Sequence, residues 1–320
     1  MTDMTKPKSL DIIVPLYNEE KAIIEFHSRL IKSIESLGIP TRIFYVDDGS
    51  IDNTLNILLN IRINDDRINI IQLSRNFGHQ AALTAGLDLV DADIVITLDG
   101  DGQHPPELIP KFIELHLQGF DVVQGQRINN NVESSFKTLT SRWFYSIINF
   151  LGDTKIAEGT SDFRLVTKRV VEAFRQIHDY HLFIRGIIPW LGFSETFLQY
   201  NAGERISGKS KYSLSKMFIL AENAIFSFSI IPLRIGFSIG ISFFLLAFIE
   251  VIYVISFWIA GKQDQLAPGW SSIVFLILIT GGALMIVTSI IGVYIGQISQ
   301  QIKNRPRYII KKIYKNSQTQ

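Results

Sequence analysis

The feature that most constrains this chain is a long stretch without charge near its C-terminus. No residue from 265 to 302 is charged, and the wider range 235–302 contains only Glu250, Lys262 and Asp264. The chain average of 19% charged residues predicts about 13 charges over such a length. A helix that crosses a bilayer needs ~20 apolar residues. The stretch is therefore predicted to span a membrane, and two buried helices of a soluble protein are the disfavoured alternative.

Two spans fit into this stretch, at about 235–260 and 269–298, with a short polar turn between them. The tail 303–320 is rich in lysine and arginine, whereas the turn contains only Lys262. The positive-inside rule then predicts a multi-pass plasma (inner) membrane protein with both termini in the cytoplasm. The polar N-terminus predicts no signal peptide. Glu250 is interpreted as a neutral or snorkelled side chain at a helix interface, and a functional polar contact is the alternative.

Composition excludes several classes of protein. The net charge is +1 and there are 0 cysteines. A nucleic-acid-binding protein would normally be basic. A chain without cysteine has no disulfide, no thiolate metal site and no cysteine nucleophile. The length of 320 residues leaves room for one globular domain of roughly 200 residues, predicted at 1–212, in addition to the membrane part.

Residues 10–125 alternate short apolar segments with amphipathic ones. Strands are predicted at 10–14, 42–46, 68–73, 94–98 and 120–124, and helices at 19–37, 52–62, 79–89 and 106–117. This alternation indicates an α/β domain with βαβ units and a mostly parallel sheet. Ligands bind beyond the carboxyl ends of such strands. Polar clusters follow the predicted strands there, at 15–20, 47–50, 74–78, 99–104 and 125–127.

Asp99 and Asp101 form a D-x-D pattern after the fourth strand, where Gly100 and Gly102 allow a tight turn. Two carboxylates this close repel each other unless a cation lies between them. Hard oxygen ligands select Mg²⁺ or Mn²⁺, and Gln103 offers a third oxygen. Such an ion would neutralise a diphosphate leaving group. The alternative is a solvated acidic turn.

Two other segments each allow two interpretations. Asp47 and Asp48 can accept hydrogen bonds from a base or a ribose, or form an ordinary Asp-Gly turn. Residues 203–210 match the P-loop pattern G-x-x-x-x-G-K-S, after a possible strand at 196–200. A membrane NTPase is disfavoured because a P-loop normally opens an α/β sheet. The preferred interpretation is a mobile cationic loop that meets phosphates.

Six short motifs occur together in one known family. They are Val-Pro-Leu-Tyr-Asn-Glu at 14–19, Asp-Asp-Gly-Ser at 47–50, Arg-Asn-Phe-Gly at 75–78, Asp-Gly-Asp-Gly-Gln at 99–103, Gly-Gln-Arg at 125–127 and Ser-Asp-Phe-Arg at 161–164. The sequence thereby resembles glycosyltransferase family 2. With Arg-Ile-Ser-Gly-Lys-Ser-Lys-Tyr at 205–212 and the two spans, it is most similar to polyprenyl-phosphate glycosyltransferases, over nearly the whole chain. Processive polymer synthases of the family have a Q-x-x-R-W motif, and Leu139 stands here in place of its glutamine.

The resemblance implies a GT-A, Rossmann-like fold and transfer of a hexose to polyprenyl phosphate with inversion. The donor is expected to be UDP-glucose and the acceptor undecaprenyl phosphate. GDP-mannose or another UDP-sugar remains open as donor, and a non-catalytic scaffold that binds nucleotide-sugar is a distant alternative.

The resemblance also implies roles for individual residues. It implies donor binding by Pro15, Tyr17, Asn18, Glu19, Asp48, Asp99 and Gly100, to which the hydrogen-bonding argument adds Asp47. It implies Mg²⁺ or Mn²⁺ binding by Asp99, Asp101 and Gln103, and contacts to the acceptor phosphate from Arg127, Arg142, Arg205 and Lys211. Asp162 is expected to position the sugar or act as a base, and a helix N-cap is the alternative.

The segments next to the membrane are expected to contact lipid. Residues 213–231 are predicted to form an amphipathic helix in the headgroup plane. Residues 136–151 have a similar apolar face, for which packing against the sheet is an equal alternative. Gly281, Gly282 and Ala283 would permit close contact between helices, so a homo-oligomer through the spans is plausible.

Overall fold

The computed structural model describes residues 7–128, 159–179, 183–203 and 269–315, and single positions between 236 and 261. It divides into two compact units, residues 1–150, 154–221 and 306–320 in the first, and 151–153 and 222–305 in the second. Several predicted features lie outside the described residues: Arg142, Arg205, Lys211, Glu250, and the segments 136–151 and 213–231.

The first unit is built around one sheet with helices between its strands. The strands are β1 (Leu10–Leu16), β2 (Thr41–Asp47), β3 (Ile68–Leu73), β4 (Ile94–Thr97), β5 (Val122–Arg127), β6 (Thr160–Thr167), β7 (Glu195–Tyr200) and β8 (Ile310–Tyr314). The helices are α1 (Ile23–Glu35), α2 (Thr54–Ile63), α3 (His79–Leu87), α4 (Ile109–Leu117) after a 3₁₀ turn at Pro106–Leu108, α5 (Lys168–Arg175) and α6 (Ile184–Trp190). Every strand and helix predicted between 10 and 125 is confirmed, with ends that differ by a few residues.

The strand order is β7-β5-β6-β4-β1-β2-β3-β8. The pairs β1–β2, β1–β4 and β2–β3 are parallel, as predicted, and the pair β5–β7 is parallel as well. Strand β6, which the sequence analysis did not predict, lies antiparallel between β4 and β5. Because β6 runs in the opposite direction, its first residues lie at the same rim as the last residues of β4 and β5. The Ser-Asp-Phe-Arg motif is thereby brought to the rim where ligands bind.

The core explains why the sheet forms. All seven residues of β1 are buried, which is typical of a parallel strand covered on both faces. Helix α1 packs an apolar stripe of Ile23, Phe26, Leu30 and Ile34 against the sheet. The strand ends are thus held by a rigid interior, so the loops that follow them start from fixed positions.

The second unit contains helix α7 (Trp270–Ile302), 33 residues long. Its segment Ile279–Gly296 has a mean hydropathy of 1.8 and none of it is buried. By length and composition this is the one helix among the described residues that could cross a membrane. It agrees with the predicted span at 269–298. The span predicted at 235–260 remains a prediction, because many of its positions lie outside the described residues.

The tail after α7 contains a strand that the sequence analysis did not predict. Strand β8 pairs antiparallel with β3 at the edge of the sheet. Hydrogen bonds also fix the two residues that precede β8. Ser74 N donates to the Ile309 carbonyl (2.9 Å), and Tyr308 Oη donates to Asp88 (2.7 Å). Residues 306–320 therefore belong to the first unit. The five residues of β8 lie in a basic tail, and nothing in their local sequence indicates that they pair with β3, which is distant in the chain.

Deleting residues 306–320 should lower the midpoint of thermal unfolding by about 5–15 °C, because β3 loses a ladder of hydrogen bonds. The bared edge should also favour aggregation. Differential scanning fluorimetry of the full-length and shortened chains in one detergent measures the effect. Lys311→Ala, which removes an exposed side chain and keeps the strand, is the matched control and should change little. An unchanged midpoint in the shortened chain would show that β8 is dispensable.

Candidate active site

A cavity of about 410 Å³ opens at the carboxyl ends of the parallel strands. Its volume suits a small-molecule ligand. The predicted donor and metal residues that line it are Pro15, Tyr17, Glu19, Asp48, Asp99, Gly100 and Asp101. Three loops that are distant in the sequence, after β1, β2 and β4, thus meet around one space.

Asp48 connects two of the loops at the cavity. Its Oδ1 accepts a hydrogen bond from Phe77 N (2.7 Å), and its Oδ2 accepts one from Gly78 N (2.9 Å). The neighbouring Gly49 has a φ of 68°, and a Cβ there would lie 2.4 Å from the carbonyl carbon of Arg75. Only glycine allows this close approach. Burial raises the pKa of Asp48, and this effect outweighs the two hydrogen bonds, which lower the pKa.

Asn18 and Asp47 were predicted to bind the donor, but they do not line the cavity. Asn18 has a φ of 54°, and its Oδ1 accepts a hydrogen bond from Ile51 N (2.9 Å). Asp47 is fully buried, and its Oδ1 accepts one from Ser50 N (3.1 Å). Burial raises the pKa of Asp47. Both side chains hold the loop after β2 in place, and their contact with the donor stays a prediction.

The D-x-D pair is suited to a divalent cation. Asp99 and Asp101 both line the cavity. Asp99 Oδ1 is buried and accepts no hydrogen bond from the described residues, which is unusual for a carboxylate oxygen. Among the described residues, no group of three histidine, aspartate or glutamate side chains could hold a metal ion, and Gln103 does not line the cavity. The described part of this loop therefore offers two carboxylates that could hold a divalent cation.

His104 fixes the start of the D-x-D loop, a role that the sequence analysis did not predict. It is 5% exposed, and its Nδ1 accepts a hydrogen bond from the backbone N–H of Asp99 (2.8 Å). Its ring stacks on Phe163 at 5.3 Å. Burial lowers the pKa of His104, so the neutral imidazole with Nδ1 as acceptor is the stable form. The only sequence signal is its position just after the D-x-D motif.

His104→Phe should reduce sugar transfer by about 10-fold, because the buried N–H of Asp99 loses its acceptor at a cost of ~1–3 kcal/mol. The phenyl ring keeps the stacking on Phe163, so the chain should stay folded. His104→Asn offers an oxygen at the position of Nδ1 and should recover part of the rate. Transfer measured against Mn²⁺ concentration tests this, with a raised half-saturating concentration expected for His104→Phe. Equal loss in both variants would argue for packing alone.

Asp162 is the most heavily paired carboxylate at the rim. It is 1% exposed and accepts hydrogen bonds from Arg164 Nη2 (3.1 Å) and Arg185 Nη2 (2.7 Å). Burial alone would raise its pKa, but Arg185, His79 and Arg164 outweigh burial and hold the pKa well below its usual range. The helix-cap alternative is wrong, because Asp162 lies within strand β6. A carboxylate with so low a pKa is a weak base, which favours the positioning interpretation.

His79 lies between Asp99 and Asp162. Its Nε2 is 3.5 Å from Asp99 Oδ1 and 3.3 Å from Asp162 Oδ2. Burial would lower its pKa, but Asp99 and Asp162 raise the pKa to about 9. The sequence analysis missed His79 and Arg185, although both line the cavity. His79 directly follows the cluster at 74–78, whereas Arg185 has no local signal.

Arg127 and Gly203 lie outside the cavity lining. Arg127 is exposed at the end of β5, opposite Tyr200 of β7, and does not line the cavity. Gly203 N donates to the Gln103 carbonyl (3.2 Å). The cationic segment therefore starts beside the D-x-D loop, which favours a role near phosphates over a separate P-loop. The predicted strand before it is confirmed as β7, and residues 204–210 lie outside the described residues.

A mixed, mostly parallel sheet with a D-x-D pair at the carboxyl ends of its parallel strands is the architecture expected of a glycosyltransferase of the GT-A class. The chain belongs to glycosyl transferase family 2, whose model matches residues 11–175. The family membership and the enzyme class predicted from the motifs are both confirmed.

Several relatives match almost the full chain. An uncharacterized glycosyltransferase of Bacillus subtilis, YkcC, is 36% identical over 97% of this chain and 96% of its own length. The SfII prophage-derived bactoprenol glucosyl transferase of Shigella flexneri is 35% identical over 96% and 99% of the two chains. A prophage bactoprenol glucosyl transferase homolog of Escherichia coli is 36% identical over 96% and 99%. The similarity thus extends beyond residues 11–175 into the apolar C-terminal part of the chain.

Proposed function

We propose that this chain is a membrane glycosyltransferase that moves glucose from UDP-glucose to undecaprenyl phosphate, a polyprenyl phosphate, with inversion at the sugar. The observation that carries this proposal is the near full-length similarity to bactoprenol glucosyl transferases. The rim cavity, lined by the predicted donor residues, supports it. GDP-mannose and other UDP-sugars are the alternative donors.

Different residues of the cavity are proposed to contact different parts of the donor. Pro15, Tyr17, Glu19 and Asp48 are proposed to contact the base and ribose, while Asn18 and Asp47 hold the loop that carries Asp48. Asp99 and Asp101 would hold Mg²⁺ or Mn²⁺, since both carboxylates line the cavity. When bound, such an ion neutralises the charge that develops on a departing diphosphate.

The acceptor phosphate needs little activation. Its second pKa is near ~6, as for other phosphate monoesters, so it is already a nucleophile at neutral pH. The low pKa of Asp162 fits a mechanism without a strong general base. The enzyme then mainly aligns two anions and offsets their repulsion. Arg127, Arg142, Arg205 and Lys211 are proposed to hold the acceptor.

The membrane part supports a lipid-linked acceptor. Helix α7 has the length and composition of a span, and the basic tail that follows it favours a cytoplasmic C-terminus. We place the chain in the plasma membrane with two spans and residues 213–231 at the lipid surface. Association of copies through the spans is part of the same proposal, and no nucleic acid is involved.

The test is a transfer assay with the full-length protein in detergent. The protein is incubated with polyprenyl phosphate, Mg²⁺ or Mn²⁺ and a panel of radiolabelled nucleotide-sugars. Label from UDP-glucose should enter the organic phase, and omission of polyprenyl phosphate or use of the free alcohol should abolish it. Label from another donor would replace glucose by that sugar. Folded protein that transfers none of the sugars would contradict the proposal and favour a binding scaffold.

A further inference from the structure

Arg185 lines the cavity although no motif includes it. It lies in helix α6, after the segment 180–182 that is outside the described residues. We propose that Arg185, oriented by Asp162, binds an anionic phosphate group of a substrate in the cavity. This inference rests on the proposed function, because it assigns a substrate contact within the same site.

The orientation of Arg185 is fixed by a buried carboxylate. Its Nη2 donates to Asp162 Oδ2 (2.7 Å), and its Nε lies 3.2 Å from both oxygens of Asp162. Such a two-pronged contact sets the plane of the guanidinium. The side chain is 27% exposed, so the fixed cation is presented to the cavity instead of being enclosed.

Arg164 shows the contrasting arrangement around the same carboxylate. Its side chain is 3% exposed. It donates to Asp162 Oδ1 and to the carbonyl oxygens of Ser161 and Ile184. Arg164 therefore serves as the interior partner of Asp162. Arg185 is the partner at the cavity surface, where a substrate can reach it.

The acidic lining of the cavity favours a positively charged side chain at position 185. The acidic residues that line it are Glu19, Asp48, Asp99 and Asp101, and among its described lining residues the basic ones are His79 and Arg185. The proposed reaction brings a diphosphate and a phosphate monoester together. Their repulsion must be offset beside this acidic wall. The planar fork of arginine matches phosphate oxygens better than a lysine ammonium does.

The phosphate can come from two sources, the diphosphate of the donor or the monophosphate of the acceptor. Both offer the same chemistry, so the binding experiment needs one arm for each. In the donor arm, UDP and uridine compete with labelled UDP-glucose, with GDP and guanosine run in parallel. In the acceptor arm, the KM for polyprenyl phosphate is measured at saturating donor.

Arg185→Gln in the full-length protein is the central variant. If the donor is bound, affinity for the nucleoside diphosphate should fall about 10–100-fold while affinity for the nucleoside stays unchanged. If the acceptor is bound, the KM for polyprenyl phosphate should rise by a similar factor. Arg185→Lys keeps the charge and should lie between wild type and Arg185→Gln. Arg29→Gln is the matched control, because Arg29 forms a similar two-pronged ion pair, with Glu107, and is 32% exposed.

Specific results would overturn the inference. Unchanged binding affinities together with an unchanged KM for polyprenyl phosphate would overturn it. An equal loss of affinity for the nucleoside and the nucleoside diphosphate would also overturn it, since that result indicates a distorted site. If Arg185→Gln does not fold, Arg185→Lys decides, and wild-type constants in every arm of that variant would exclude a role for the fork. Each of these results concerns the variants alone, and the wild-type protein would still transfer the sugar. Absence of transfer by the wild type instead refutes the proposed function, and the inference falls with it.

Discussion

Asp99→Asn should reduce sugar transfer by about 10³-fold, a loss of ~4 kcal/mol of transition-state stabilisation. The asparagine keeps the shape of the side chain but removes the negative charge that a divalent cation needs. The chain should remain folded, because the side chain of Asp99 is 29% exposed and asparagine keeps an oxygen facing His79, whose Nε2 lies 3.5 Å from Asp99 Oδ1. The variant thus separates the chemistry of the site from its stability.

Three measurements check this expectation. The transfer rate gives the size of the effect, Mn²⁺ titration gives the loss of cation affinity, and thermal unfolding shows that the fold is intact. Asp91→Asn is the control, since the Asp91 side chain is 72% exposed and its carboxylate pairs with Lys168 at the surface. Transfer by Asp99→Asn at more than a tenth of the wild-type rate would remove Asp99 from the cation site.

Asp162→Asn should produce the largest loss of stability. The substitution leaves Arg164 and Arg185 without their shared carboxylate, and breaking a buried ion pair costs about 3–5 kcal/mol. For a unit of this size, that corresponds to a fall of about 6–20 °C in the midpoint of thermal unfolding. Transfer should also fall, because His79 and Arg185 lose the group that orients them.

The effect of Asp162→Asn should depend on pH in a defined direction. The pKa of Asp162 is lower in the folded chain than its ordinary value of 3.8, so the folded state binds the proton less tightly than the unfolded one. The carboxylate therefore stabilises the fold fully above that ordinary value, and the contribution is lost as the pH falls through the folded pKa. The difference between wild type and variant should be constant near neutral pH and shrink in acid.

Glu107→Gln provides the matched comparison. Glu107 also pairs with an arginine through two contacts, but it is 52% exposed, and exposed pairs contribute about 0–1 kcal/mol. Its unfolding midpoint should stay close to that of the wild type. Equal midpoints for Asp162→Asn and Glu107→Gln would mean that burial does not strengthen the Asp162 network.

The parallel half of the sheet could be predicted from the sequence because its signals are local. Apolar runs such as Leu10–Leu16 and the helical periodicity of Ile23–Glu35 depend on neighbours in the chain. Strands β6 and β8 could not be predicted, since each is defined by a partner far away in sequence. The hydrogen bonds that Asn18 and Asp47 form within their loop could not be predicted either, because a motif does not show which atoms hold a loop together.

The sequence by itself determined the α/β class, the rim on which the ligand-binding residues lie, the D-x-D pair, the family and an apolar segment fit to cross a membrane. Only the tertiary structure decided that His79, Asp162 and Arg185 form one charged network beside Asp99. The physical reason is that ion pairing depends on distance in space. Arg185 reaches Asp162 because an antiparallel strand and a later helix meet at the same rim, and no local pattern encodes that meeting.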